Sequence, residues 1–261
     1  MHNRFYVNDL SNKLIGKEID LPLILNHVKA LRLNNGSEIK LYDGSGILCT
    51  GIISSISKKN IKVKILSFEK FTEKPVRIHL FLPIIASNLM DIMLSKICEL
   101  DIYSVYPLIT SRSIRHLDSS DSKSKIDRWK KISASSMILS GRNKMTKILQ
   151  PIDFKEALSL CVKFDIKFIG ALSSNKLLKD YLLNHLSLNN LNSNEFQNNY
   201  FNIALFIGPE GDFSPSELRL SKDYGFVPVK LSNYIMSTFT ASLYSVSNLI
   251  CFALSYNNYA S

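Results

Sequence analysis

One stretch, FNIALFIGPEGDFSPSEL at 201–218, restricts the fold more than any other part of the chain. Ile203, Ala204, Leu205, Phe206 and Ile207 form an unbroken apolar run, the pattern of a strand buried on both faces of a parallel sheet. Gly208-Pro209-Glu210-Gly211 then bends the chain. Ser214-Pro215-Ser216-Glu217 reads as a capping box, with Ser214 at the N-cap, Pro215 at the first helical position and Glu217 reaching back. A glycine-bearing bend at the carboxyl end of such a strand is where open α/β sheets bind ligands. Gly208 and Gly211 are expected to supply backbone angles and a close ligand approach that a Cβ would forbid. The plainer alternative is a tight strand-to-helix connection and nothing more.

A phosphate does not suit this bend. The chain has no G-x-x-x-x-G-K-[ST], no lysine follows the turn, and Glu210 and Asp212 flank Gly211. A ligand of positive or mixed charge, read by backbone groups, fits better. S-adenosylmethionine, a sulfonium cation with an uncharged adenine, meets that description.

The flanking sequence extends the same architecture. From Val76 onward, strands at 76–85, 101–110, 165–172 and 226–231 alternate with helices at 87–100, 125–139, 151–164 and the carboxyl end, so a mostly parallel sheet is expected. Leu89, Met93, Ile97 and Leu100 are expected to share the buried face of the 87–100 helix, and Trp129 to pack in the core. The segment 189–200 is asparagine-rich and reads as a loop. Residues 1–70 have another texture. A short helix at 23–32 carries Leu25, Val28 and Leu31 or Leu33 on one side, and three alternating strands joined by Gly/Asn turns suggest a small β-barrel. The charged, proline-ended segment 69–75 separates a domain at 1–70 from one at 76–261.

Composition narrows the partners. Thirty-two lysines and arginines stand against 22 acidic residues, a net charge of +10, which points to a polyanion, with nucleic acid first. Cys49, Cys98, Cys161 and Cys251 show no metal-binding spacing, so no metal is expected; they read as reduced thiols, placing the protein in the cytoplasm. The stretch 241–256 is apolar yet too short and serine-rich to span a bilayer, so it is expected to be a buried helix, with no membrane partner.

Several motifs coincide in order. IGPEGDFSPSEL, followed by LSNYIMSTFTAS at 231–242, resembles the carboxy-terminal signature of the RsmE family, SPOUT-superfamily methyltransferases that act on uridine N3 in small-subunit ribosomal RNA. The family pattern runs IGPEGGFS-x-x-E and then LG-x-R-I-L-R-x-E-T-A. RFYV, HVKALRL with LYDG, MDIMLSKICELDI, PLITSRSIRHLD and SGRN resemble further stretches of that family, so the resemblance spans almost the whole chain. It implies a PUA-like β-barrel followed by a trefoil-knotted α/β domain, working as a homodimer on 16S rRNA or the small ribosomal subunit. By the same resemblance the methyl donor, S-adenosylmethionine, lies against Leu172, Ile207, Gly208, Gly211, Leu231, Ile235, Met236 and Thr240.

Methyl transfer to uracil N3 needs alignment and relief of the N3 proton, which a cation near the uracil oxygens would assist. Arg142 and Arg112 are the candidates for that role. Arg4, His27, Arg32, Arg112, Arg115 and Arg142 are the candidate RNA contacts, because the guanidinium fork suits phosphates and stacks on bases. The target uridine must be unpaired or flipped out. The chain departs from the family pattern at Ser232, Tyr234, Ser237 and Phe239, and has Ile138 and Leu139 where a Glu-Gln pair is usual. Those positions keep a second reading open, an RNA-binding relative without methyl transfer. A third is a SPOUT enzyme with another acceptor, such as a ribose hydroxyl.

Overall fold

The computed structural model describes residues 3–113, 119–188 and 200–259. They form two compact units, Met1–Glu73 with Ala134–Met145, and Lys74–Ser133 with Thr146–Ser261.

The first unit is built on a five-stranded sheet. Strands β1 (Arg4–Tyr6), β2 (Glu18–Asp20), β3 (Glu38–Tyr42), β4 (Ile47–Ile56) and β5 (Ile61–Lys70) lie in the order β1-β3-β4-β5-β2, with β1 parallel to β3 and the other pairs antiparallel. Ile61, Val63 and Ile65 on β5 point inward while Lys62, Lys64 and Leu66 face out, the alternation expected of a sheet covered on one side. The β3–β4 turn is set by Asp43, whose Oδ1 accepts from the Ser45 and Ile47 amides while Gly44 and Gly46 take positive φ. Helix α1 (Leu25–Ala30) buries Leu25 and Val28 against the sheet. Strand β2 holds one apolar residue among three, too little pattern to have been read from sequence. The expected boundary at 69–75 is crossed once more: residues 134–145 pack in this unit, where Met137 and Met145 meet Tyr42 and Leu48.

The second unit is a seven-stranded sheet in which every described pairing is parallel. Its strands are β6 (Val76–Pro83), β7 (Ser104–Ile109), β8 (Lys147–Ile148), β9 (Ile152–Asp153), β10 (Ile166–Gly170), β11 (Phe201–Phe206) and β12 (Val227–Val229). They lie in the order β12-β10-β11-β6-β7-β8, with β9 beside β7. Both faces are covered. Ile203 and Leu205 on β11 turn toward α2 (Ser87–Ile97), α5 (Leu178–Leu188), α7 (Thr238–Tyr259) and the Ile126 and Trp129 side chains of α3 (Ser119–Ser140). Ala204 and Phe206 turn the other way, into a cluster with α4 (Phe154–Leu160), Phe213 and the strand residue Phe81, beneath α6 (Pro215–Asp223). This two-sided burial is why the strands carry continuous apolar runs.

Two sequence-based expectations change here. The buried face of α2 is Met90, Met93, Leu94 and Ile97, whereas Leu89 is 48% exposed; the stripe is centred near Met90 and Ile97, and Leu89 lies about a quarter turn to one side of that centre. Helix α5 carries Leu178 and Leu182 into the core but was not read from the sequence. Helix α7 has the length and composition of a membrane span over Thr238–Ser255. Its Val246, Leu249 and Phe252 nevertheless belong to the core, and the buried Ser242 and Ser245 hydroxyls donate to carbonyls one turn back. The helix is longer than the sequence reading expected, and one face of it belongs to the core while Tyr244 and Leu254 are exposed.

His79, in mid-strand on β6, is buried, with Nδ1 2.8 Å from Ser104 Oγ and Nε2 3.1 Å from Asn202 Oδ1. Burial, which disfavours the imidazolium, pushes its pKa down to about 4. The unfolded chain therefore takes up a proton below about pH 6.5 that the folded chain refuses until about pH 4, so stability is full above that window and is lost as pH falls through it. We expect acidification across the window to cost on the order of 3 kcal/mol at this residue. Denaturant unfolding of wild type and His79→Gln at pH 7 and pH 4.5 checks this: the variant should lose distinctly less, and equal losses would show that the histidine does not carry the effect.

Candidate functional site

The carboxyl ends of β10, β11 and β12 open into three loops, and these surround a pocket of roughly 600 Å³ counted out to its mouth. The loop after β10 contributes Gly170, Ala171 and Leu172; the bend after β11 contributes Ile207 to Glu210 and Asp212; the loop after β12 contributes Lys230, Leu231, Ser232, Tyr234, Ile235 and Met236. Thr238 and Ala241, from the first turn of α7, close one wall. The walls are mostly apolar, as those of small-molecule sites usually are.

The loops are tied to one another by few, specific bonds. Asp212 holds φ 59°, the left-handed region that aspartate tolerates better than most residues. In that conformation its Oδ1 accepts from the Phe213 amide at 2.8 Å and its Oδ2 from the Leu172 amide at 3.1 Å, which joins the β11 bend to the β10 loop. Thr238 Oγ1 donates to Gly208 O at 3.2 Å, joining the bend to α7. The loop after β12 is anchored at its start by a backbone pair: Lys230 N donates to Lys176 O at 2.7 Å, and Lys230 O accepts from Leu178 N at 2.9 Å.

This geometry revises the role of the glycines. Neither Gly208 nor Gly211 is among the glycines with positive φ; the unusual backbone angle of the bend falls on Asp212. A Cβ at Gly208 would stand 3.2 Å from Asp212 Oδ1 and 3.3 Å from the Phe213 ring, so those side chains would have to give by a few tenths of an ångström to admit it. Gly211 lies off the pocket wall, and its carbonyl accepts from Arg112 Nη1.

Arg112 sits on the turn after β7, and that turn is clamped. The Glu217 carboxylate accepts from the Ser111 amide at 2.8 Å and the Ser111 hydroxyl at 2.9 Å, besides closing the capping box with Ser214 at 2.8 and 2.9 Å. Burial pushes the Glu217 carboxyl up, but these hydrogen bonds outweigh it and hold the group below its ordinary range. The capping box was legible in sequence; the second use of the same carboxylate, 106 residues away, was not.

Six of the eight residues expected around the donor line the pocket: Leu172, Ile207, Gly208, Leu231, Ile235 and Met236. Thr240 does not. Its amide donates to Ser237 Oγ at 3.2 Å, while Thr238 and Ala241, three apart and therefore on one helix face, take the wall. Asp212 and Thr238 were missed, although an aspartate beside a glycine in a bend is a recognisable candidate for a left-handed turn. In the first unit, Arg4 stacks its guanidinium 4.3 Å from the Tyr42 ring centroid and approaches Arg142 O at 3.5 Å. Gly141, at φ +81°, admits it, since a Cβ would stand 2.6 Å from Arg4 Nη1. The exposed His27 packs edge-on against Phe5, and Arg32 is an exposed residue in the left-handed position that ends α1. Arg115 lies outside the described residues.

The departures from the family pattern have structural roles. Ser232 Oγ accepts from Tyr234 N at 3.0 Å and donates to Tyr234 O at 2.7 Å. Ser237 caps the start of α7 through the Thr240 amide. Phe239 packs on the core of the second unit and Ile138 on the Tyr42 cluster of the first, while Leu139 is 73% exposed.

Comparison with known proteins agrees with this architecture. Residues 72–250 match the RNA methyltransferase domain family, and residues 24–66 match the RNA methyltransferase PUA domain. A ribosomal RNA small subunit methyltransferase E of Mesomycoplasma hyopneumoniae is 27% identical over 247 residues, which cover 95% of this chain and 98% of the relative. A methyltransferase of Legionella pneumophila, solved with bound S-adenosylmethionine, superposes with a TM-score of 0.82 at 27% identity, covering 96% of this chain and 98% of that one. A ribosomal RNA small subunit methyltransferase E of Neisseria gonorrhoeae, bound to S-adenosylmethionine, gives 0.78 at 26% identity over 96% and 98% of the two chains. The order of elements, the three-loop pocket and the family match over most of its length agree: the chain belongs to the RNA methyltransferase family, in its RsmE branch of the SPOUT fold with an amino-terminal PUA domain.

Proposed function

We propose that this protein methylates N3 of a specific uridine in small-subunit ribosomal RNA, with S-adenosylmethionine as donor. The observation that carries the reading is the pocket at the carboxyl ends of β10, β11 and β12, in a chain whose relatives along its full length are small-subunit rRNA methyltransferases. The residues present fit the donor. Ala171, Leu172, Ile207, Leu231 and Met236 offer apolar walls to an adenine, and Glu210 on the lining offers a negative charge to a cationic ligand. Bound there, S-adenosylmethionine would supply a methyl group already activated on sulfur.

What remains for the protein is mostly alignment, which can contribute ~7–11 kcal/mol to such a transfer. Asp212 and Thr238 hold the three loops in register. Glu217 fixes the turn that carries Arg112, and the bond to Gly211 uses one of the five N–H donors of its guanidinium. We assign Arg112 to the uracil oxygens, where a cation stabilises the negative charge left when the N3 proton departs. Arg142, presented beside Arg4 in the first unit, is assigned to the RNA, as are His27, Arg32 and Arg115. The departures at 232, 234, 237 and 239 leave the pocket loops tied and capped, so they do not favour the reading of RNA binding without transfer.

The protein is also proposed to work as a cytoplasmic homodimer. Leu89 and Ile92 share an exposed stripe on α2, and α7, which packs on α2, exposes Tyr244 and Leu254. A second copy would cover that apolar surface. Cys49, Cys98 and Cys161 are buried and outside any disulfide, in keeping with a reducing compartment.

Primer extension on small-subunit rRNA tests the activity. Incubation with protein and donor should produce a stop one nucleotide short of the target, absent without donor; no stop, with subunit binding intact, would overturn the reading. Asp212→Ala should weaken donor binding by about 10–100-fold in calorimetry, from two lost charge-assisted bonds. Asp212→Asn keeps the backbone preference but only one of the two acceptor oxygens, and should fall between alanine and wild type; if alanine binds donor equally well, the bridge does not shape the site. Sedimentation should give twice the chain mass, and the paired change Leu89→Asp with Ile92→Asp should give one; an unchanged dimer would place the interface elsewhere.

A further inference from the structure

Tyr234 and Ile235 are 84% and 82% exposed, two of the three most exposed large apolar side chains among the described residues. They are adjacent, and both line the mouth of the donor pocket, as does Leu172 at 52% exposure. Water disfavours such a cluster, and exposed apolar surface continuous with a polar-rimmed pocket marks a binding groove. The tip is not a loose end. Ser232 Oγ accepts from the amide of Tyr234 and donates to its carbonyl, fixing the backbone that presents the ring.

The methyl acceptor must reach this same mouth, because the donor pocket opens there. An unpaired uracil has two apolar faces and a polar edge, and single-stranded bases are commonly held by stacking on aromatic side chains. We infer that the Tyr234 ring, with Ile235 and Leu172 beside it, is the platform on which an unpaired pyrimidine of single-stranded RNA stacks at the mouth of the donor pocket. Stacking on the face leaves the base edge, N3 included, open to the donor and to Arg112. Base recognition at this rim is then carried by dispersion and face contact, and depends weakly on salt compared with the phosphate contacts made by arginines and lysines. The inference rests on the RNA methyltransferase reading above for the identity of the acceptor, but its test does not depend on turnover.

Fluorescence anisotropy of the full-length protein with a short oligouridylate and with an abasic strand of the same phosphates separates stacking from charge. Tyr234→Ala should weaken oligouridylate binding roughly five- to hundred-fold, and Tyr234→Phe should bind within about twofold of wild type. On the abasic strand all three should bind alike. The inference is overturned if Tyr234→Ala binds oligouridylate as well as wild type does, or loses equally on the abasic strand. It is equally overturned if sedimentation shows that this variant has lost self-association, which would put the ring in an interface between copies. A base-dependent loss without any donor-dependent stop on rRNA would retire the methylation reading while leaving the platform in place.

Discussion

A single carboxylate in an uncommon backbone conformation holds the three-loop pocket together. Asp212 turns left-handed after the Gly-Pro-Glu-Gly bend and, from there, reaches both the next amide and the amide of Leu172 on another loop. Left-handed backbone costs a non-glycine residue on the order of 1 kcal/mol or more, and the two charge-assisted bonds offset it. Gly208 suits the same arrangement, since a Cβ there would crowd Asp212 and Phe213. The Thr238–Gly208 bond and the Lys230 backbone pair then attach the third loop.

Much of the fold was legible because burial leaves a period. The two-faced strand β11, the capping box of α6 and the alternating strands β3 to β5 each announce themselves over several residues. Elements whose pattern is short or borrowed from a neighbour do not: β2 has one apolar residue, β8 and β9 have two residues each, and residues 134–145 join the first unit through side chains that look like any helix end. In the site, the loops could be named but not the bonds between them. Helical phase explains the exchange of Thr240 for Thr238, and the choice of Asp212 over Gly211 as the unusual residue depends on a partner 40 positions away.

The chain also shows how a site can be recast without losing its frame. Where the related motif carries charge, this one has a serine that binds backbone, a phenylalanine that joins the core and a tyrosine turned to solvent. Each substitution is settled locally, so the pocket keeps its shape while the character of its rim moves from ionic to aromatic. Charge is retained elsewhere, in a chain of net +10 whose Arg112 turn is clamped by Glu217.

The pocket walls come from positions 170–172, 207–212 and 230–241, three segments brought together only when β10, β11 and β12 are side by side. No fragment of the nascent chain that lacks α7 has a complete wall. On a translating ribosome this pocket is therefore among the last features the protein completes, after the first unit and most of the parallel sheet have already left the exit tunnel.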